Sequence, residues 1–232
     1  MTSSSWHALG NTYVVVETGD VRLDATAASA FARGSDGVLE ILGSSEDRVE
    51  IAIWNPDGSR AELSGNGTRI AAAWLAARSG AERVDVVVGD RTIRTRMLGD
   101  GAVEQEIGEF TVRPIETIDG MSVIPVSVGN PHAVVMGDPS TIGELGPRLE
   151  THARFPNRTN VQVVRVDSPG EVTARVWERG VGETASSGTS AVAVAAATHG
   201  DGDVLVHFPG GDLRVRLENG RALLYGSAER VS

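Results

Sequence analysis

Two serines, Ser64 and Ser187, occupy matching places in the 232-residue chain. Each is followed by a glycine and an alanine-rich stretch, and each lies ten residues after a tryptophan, Trp54 or Trp177. Serines and tryptophans are both offset by 123 residues, so the chain reads as an internal repeat. Each copy runs from a β-branched segment ending in Trp, through a polar glycine-containing loop, to Ser-Gly and a helix. A helix start offers unpaired N–H groups and a partial positive charge, a ready place for an anion such as a carboxylate. Two such starts could face one ligand, with Ser64 and Ser187 on opposite sides of it. Serine is also a common N-cap, and on the residues alone both readings stand.

The elements that must position these serines follow from pattern. Helices are expected over Thr26–Arg33, Asn66–Ser79, Ser140–His152 and Gly188–His199. The second and fourth are apolar nearly all round, which predicts a buried central helix in each half. Strands are expected at Thr12–Glu17, Glu50–Trp54, Val84–Val88, Val123–Val128, Ala133–Met136, Val161–Val166, Glu171–Trp177, Val204–Phe208, Leu213–Leu217 and Ala222–Tyr225. Many strands with few helices indicate an α/β or α+β protein. The repeat predicts two domains, residues 1–115 and 116–232, with the last strand, about 222–232, packing back on the first.

Composition closes off several chemistries. The chain has no cysteine, which excludes disulfides, Cys-ligated zinc, iron–sulfur clusters and thiol nucleophiles. All 21 basic residues are arginine, so no lysine is present to hold pyridoxal phosphate. A net charge of −10 argues against nucleic acid as a partner. The longest apolar runs, Ala71–Ala77 and Ala191–Ala197, fall far short of the roughly 20 residues that span a bilayer. The first residues show neither a basic nor an apolar signal region, so a cytoplasmic location is expected. No metal motif and no phosphate loop is present.

The repeat is embedded in a longer series of motifs: His7-Ala-Leu-Gly-Asn11, Asn55-Pro-Asp-Gly-Ser59, Gly65-Asn-Gly67, Gly129-Asn-Pro-His132, Arg154-Phe-Pro-Asn-Arg-Thr-Asn160, Glu178-Arg-Gly-Val-Gly-Glu-Thr184, Gly188-Thr189 and Leu224-Tyr-Gly-Ser-Ala228. In order and spacing they resemble the diaminopimelate epimerase family, amino-acid racemases and epimerases that work without pyridoxal phosphate. The resemblance implies two pseudo-symmetric domains, each a curled β-sheet around a central helix, closing on a small amino-acid or carboxylate ligand with no cofactor. In the family two cysteines, one before each central helix, serve as acid and base on opposite faces of the α-carbon, and the helix starts hold the α-carboxylate. The motif match places Ser64 and Ser187 on the acid/base positions and His132 and Glu183 beside the reacting centre, which makes these four the candidate catalytic residues. It places Gly65, Asn66, Gly188 and Thr189 on the carboxylate cradle. Asn11, Asn55, Asn130, Asn160, Glu178 and Arg179 match residues that hold the rest of the substrate. Arg179 with Asn55, Asn130 and Asn160 is expected to clamp a second carboxylate. No metal, nucleic acid or membrane is implied; a homodimer is compatible.

The chain departs from that pattern where it matters most. Both cysteine positions hold serine, and Thr12, Ser190 and Ser227 replace the usual aspartate, small residue and proline. A thiol, with a pKa near ~8.5, becomes a usable base at a helix start; an alcohol is a far weaker acid. Three readings remain open: a divergent isomerase with another acid or base, an epimerase whose cysteines were exchanged for serine to trap substrate, and a non-catalytic binding protein. Little two-base racemisation is expected unless a base reaches a serine hydroxyl, with His132, Glu62 and Glu183 as candidates.

Overall fold

The computed structural model describes residues 1–99 and 101–231. It divides into two compact units, residues 1–106 with 225–232, and residues 107–224. The first contains β1 (Thr2–Ala8), β2 (Asn11–Glu17), α1 (Ala25–Phe31), β3 (Gly37–Ser44), β4 (Arg48–Trp54), β5 (Arg60–Ala61), α2 (Gly65–Ser79), β6 (Arg83–Val88) and β7 (Arg91–Met97). The chain passes to the second unit along β8 (Ala102–Glu109). There follow β9 (Thr111–Val112), β10 (Glu116–Ile118), β11 (Met121–Ser127), β12 (Pro131–Met136), α3 (Ile142–Glu150), β13 (Asn160–Ser168), β14 (Glu171–Glu178), β15 (Gly182–Thr184), α4 (Gly188–Thr198), β16 (Gly202–Phe208) and β17 (Gly211–Glu218). It returns along β18 (Arg221–Ser227) to β19 (Glu229–Arg230), which pairs with β1.

The two units repeat one topology. In the first, β1 and β2 are antiparallel, β2 and β3 parallel, β3 and β4 antiparallel, β4 and β6 parallel, β6 and β7 antiparallel. In the second, β11, β12, β13, β14, β16 and β17 follow the same alternation. Each parallel step is bridged by a helix: α1 and α2 in one unit, α3 and α4 in the other.

Alanine explains how a sheet can close around α2 and α4. Small side chains on every face let strands approach from several sides without a polar stripe turned to water. Residues Ile70, Ala71, Ala72, Trp74 and Leu75 of α2 are buried, and α4 is buried continuously from Gly188 to Ala196. Around α2 lie Trp6, Val15, Leu39, Ile51, Ile53, Val84, Val86 and Val103, a single apolar cluster. Gly80, in the left-handed region at φ 76°, ends α2 by donating its N–H to Ala76.

The expected third helix differs in detail. Ser140–His152 opens as a 3₁₀ turn over Pro139–Thr141, capped by Asp138, before α3 begins. Proline within its first turns favours the tighter start. Strands β1, β3, β7 and β8 were not marked by the sequence pattern. In β1, β7 and β8 apolar residues are few and buried polar groups such as Thr95 and Gln105 break the alternation, whereas in β3 the buried Glu40 interrupts the apolar run Val38–Leu42. Among the described residues no helix is long and apolar enough to cross a membrane.

Candidate active site

In the first unit, Ser64 caps α2: its Oγ accepts from Gly67 N at 3.0 Å. The same oxygen lies 3.1 Å from the Tyr13 hydroxyl on β2. One turn into the helix, Arg69 is fully buried, and burial lowers its pKa to about 10, so it stays charged at neutral pH. Its guanidinium donates to Asn66 Oδ1, to Gln105 Oε1 at 3.1 Å and to the Ser227 carbonyl at 3.3 Å. All three are neutral oxygens. Gln105 in turn donates to the Gly65 carbonyl and to Thr68 Oγ1. A buried cation with no acid partner among the described residues adds to the helix dipole and makes the start of α2 electropositive.

In the second unit, Ser187 stands before α4 without a side-chain cap bond. A buried polar chain lies around that helix start. Asn130 donates to Thr189 Oγ1 at 3.4 Å and accepts from His132 Nε2 at 2.9 Å; Gln162 Nε2 donates to His132 Nδ1 and to Ser190 Oγ, both at 3.0 Å. Burial pushes the His132 pKa down to about 3, and the nearby Arg179 charge acts in the same direction. The ring is therefore neutral, its proton on Nε2 and its Nδ1 taken by Gln162. Asn160 donates to the Pro131 carbonyl at 2.9 Å and accepts from Arg179 N at 3.0 Å. The structure thus gathers Asn130, His132, Asn160, Arg179 and Thr189 beside the start of α4.

The remaining candidates lie as follows. Asn55 is held in its own turn, donating to Ser59 Oγ at 2.9 Å. Asn11 is buried at the head of β2 and donates to the Leu9 carbonyl. Glu178 accepts from Thr184 Oγ1 at 2.6 Å. Glu183 is exposed and paired with Arg175, and His132 bonds to Asn130 and Gln162. Ser64 has its hydrogen-bond partner in Tyr13 instead.

The repeated tryptophans hold the strand ends that lead into both loops. Trp54 Nε1 donates to Glu40 Oε2 at 3.0 Å, with Arg60 stacked 3.8 Å over its ring. Trp177 Nε1 donates to Glu150 Oε2 at 2.7 Å, and Glu150 also binds Gly180 N and Arg158. Both carboxylates are buried, yet one comes from β3 and the other from the end of α3. The indole N–H of each repeat has found its own acid.

The model of the diaminopimelate epimerase family matches residues 4–112 and 124–231. The chain belongs to the diaminopimelate epimerase family. It is 36% identical over 273 aligned positions to the diaminopimelate epimerase of Desulforudis audaxviator, covering 100% of this chain and 97% of that protein. It is 33% identical to that of Methanothermobacter thermautotrophicus, covering 91% and 88%. Among solved structures, a hydroxyproline epimerase from Agrobacterium vitis superposes with a TM-score of 0.74 at 14% identity, covering 99% of this chain and 89% of the other. A PhzF-family phenazine biosynthesis protein of Bacillus anthracis gives 0.76 at 13% identity, covering 99% and 96%. At these identities the two structures speak for the fold alone. In this member of the family a hydroxyl, that of Ser64 or Ser187, precedes each of the two buried helices.

Sequence reasoning did not single out Arg69, Tyr13 or Gln162. A basic residue within the alanine-rich run of α2 was a usable signal for Arg69, since a charge on a fully buried helix must have partners. Tyr13 looked like any residue of an apolar strand, and its link to Ser64 spans 51 residues.

Proposed function

We propose that this chain is a cofactor-independent isomerase that takes an amino acid or related carboxylate and removes and returns the proton on the carbon beside the carboxylate. What carries the reading is the repeated pairing of Ser-Gly with the start of a buried helix, in a chain of this family. In support of it, the start of α2 and the start of α4 each offer N–H groups to a carboxylate, and at α2 the buried Arg69 offsets its charge and the charge that develops as the α-proton leaves. Each serine stands at its own helix start as a candidate acid or base for that carbon. With hydroxyls in place of thiols, proton exchange outruns inversion of the centre, because inversion needs a competent group on each face.

Arg179 supports a ligand with a second charged end, the kind that the relatives' name, diaminopimelate epimerase, specifies for them. Its backbone is fixed by Asn160, and its Nη1 reaches the Asn157 carbonyl at 3.3 Å. The test is deuterium wash-in from heavy water over a panel of amino acids that includes diaminopimelate, with chiral chromatography of the recovered ligand. Exchange at the α-carbon that outpaces inversion is expected. A panel that neither exchanges nor binds by calorimetry would overturn the proposal.

A further inference from the structure

The two half-sites are not equivalent in hydroxyl chemistry, although the topology makes them so in position. Tyr13 on β2 stands opposite Gly37, the first residue of the parallel strand β3, and His132 on β12 stands opposite Asn160, the first residue of the parallel strand β13. Tyr13 and His132 are thus counterparts, as Ser64 and Ser187 are. His132 is bonded to Asn130 and Gln162, whereas Tyr13 reaches the Ser64 hydroxyl at 3.1 Å.

The phenol's seat is closely fitted. A Cβ at Gly37 would lie 2.8 Å from Tyr13 Cε1 and 2.6 Å from the Trp54 carbonyl oxygen, so glycine there leaves room for the ring. Ser64 Oγ already accepts from Gly67 N, which leaves the hydroxyl one proton to give and one lone pair to offer. Resting on the proposed isomerase reading, we propose that Tyr13 is the positioning residue of the α2 half-site, taking up and returning, through Ser64, the proton exchanged with the substrate's α-carbon.

The proton balance is simple. The Cα–H bond breaks and its proton goes to Ser64 Oγ, as the proton of Ser64 passes to the Tyr13 phenolate oxygen. The electron pair left on the α-carbon spreads into the carboxylate held at the helix start. Return of the proton reverses each transfer. Phenol ionises near pH ~10 and thiol near ~8.5, so tyrosine supplies an acid that serine lacks. Charged and titratable groups on the elements around Tyr13 are engaged as follows: His7 on β1 with Gly10 N, Asp36 before β3 with Thr12 N, Glu40 on β3 with Trp54 and Leu23, and Arg69 on α2 with Asn66 and Gln105. The chain has no lysine or cysteine to titrate in the same range; Tyr225, Arg69 and the α-amino group remain, and a Tyr13→Phe comparison separates them.

The experiment measures deuterium wash-in against pH for the parent, Tyr13→Phe, Ser64→Cys and Tyr13→Phe/Ser64→Cys. In the parent, the rate is expected to rise about tenfold per pH unit between pH 7 and 9, following the phenolate fraction. Tyr13→Phe should lose that slope and about a hundredfold or more in rate at pH 9, with KM little changed. Restoration by Ser64→Cys in the Tyr13→Phe background, with a profile levelling near the thiol pKa, would support the assignment, because a thiol needs no phenol behind it. Two results would overturn it alone: Tyr13→Phe keeping the parent's rate and slope, or Ser64→Cys being active while the double variant is not. If every variant is inert on a panel that includes diaminopimelate, the isomerase reading falls, and this assignment with it.

Discussion

Acid should weaken the second unit through His132, and the size of the effect can be worked from its burial. The imidazole is about 1% exposed, and burial lowers its pKa from 6.5 to about 3 in the folded chain. The folded protein therefore stays unprotonated there while the unfolded chain takes up a proton as pH falls through 6.5. The contribution to stability is complete above pH 6.5 and is lost progressively between 6.5 and about 3. At pH 5 the loss is about 2 kcal/mol relative to pH 7.5, or about 4–8 °C in Tm for a chain of this size. Hydrogen bonds hold carboxylates such as Asp57, Glu116, Asp138, Asp167 and Asp203 below their ordinary values; a comparison that changes only His132 leaves their contribution the same in both proteins. The perturbation is His132→Gln, whose amide can still donate to Asn130 and accept from Gln162. Urea unfolding followed by tryptophan fluorescence, which in the second unit reports on Trp177, would be measured at pH 7.5 and 5 for both proteins. The variant should lose about 2 kcal/mol less than the parent on acidification. Equal losses would refute the reasoning from burial to pKa.

Arg69→Met should weaken binding of carboxylate ligands at least tenfold in calorimetry, because a buried charge facing only neutral oxygens is removed from the start of α2; unchanged affinity would place the ligand elsewhere. Arg179→Ala should weaken diaminopimelate or glutamate at least tenfold more than alanine, and an equal loss for all ligands would remove the argument for a second charged end. Gly146→Ala puts a Cβ 2.6 Å from Trp177 Cγ, and the overpacking should cost about 1–3 kcal/mol in urea unfolding. No cost would mean that α3 can move off β14 freely.

What the sequence disclosed depended on how local the physics was. The helices α2 and α4 were legible because alanine on every face has one structural outcome, burial among strands. The 123-residue offset disclosed the repeat because both copies kept Trp and Ser-Gly at the same spacing. Strand β1 was missed because a run of serines hides its two buried residues, Trp6 and Ala8. The Trp54 and Trp177 anchors were not legible, since their acids come from different elements, Glu40 on β3 and Glu150 on α3. The motifs named Asn130, His132, Asn160, Arg179 and Thr189 one by one; that His132 is held between Asn130 and Gln162, with Asn160 on the Pro131 carbonyl beside it, required the register of β12 on β13. Tyr13 escaped entirely, because only the folding of β2 against the start of α2 brings its hydroxyl to Ser64.

The most direct measurement is chiral chromatography of diaminopimelate incubated with the parent and with Ser64→Cys/Ser187→Cys. Thiols restore an acid and a base of usable pKa at the two helix starts while leaving Arg69, Asn66 and the Asn130–His132–Gln162 chain in place. The double-cysteine variant should invert the centre about a hundredfold or more faster than the parent. Rapid inversion by the parent, or an inert double-cysteine variant, would contradict the account.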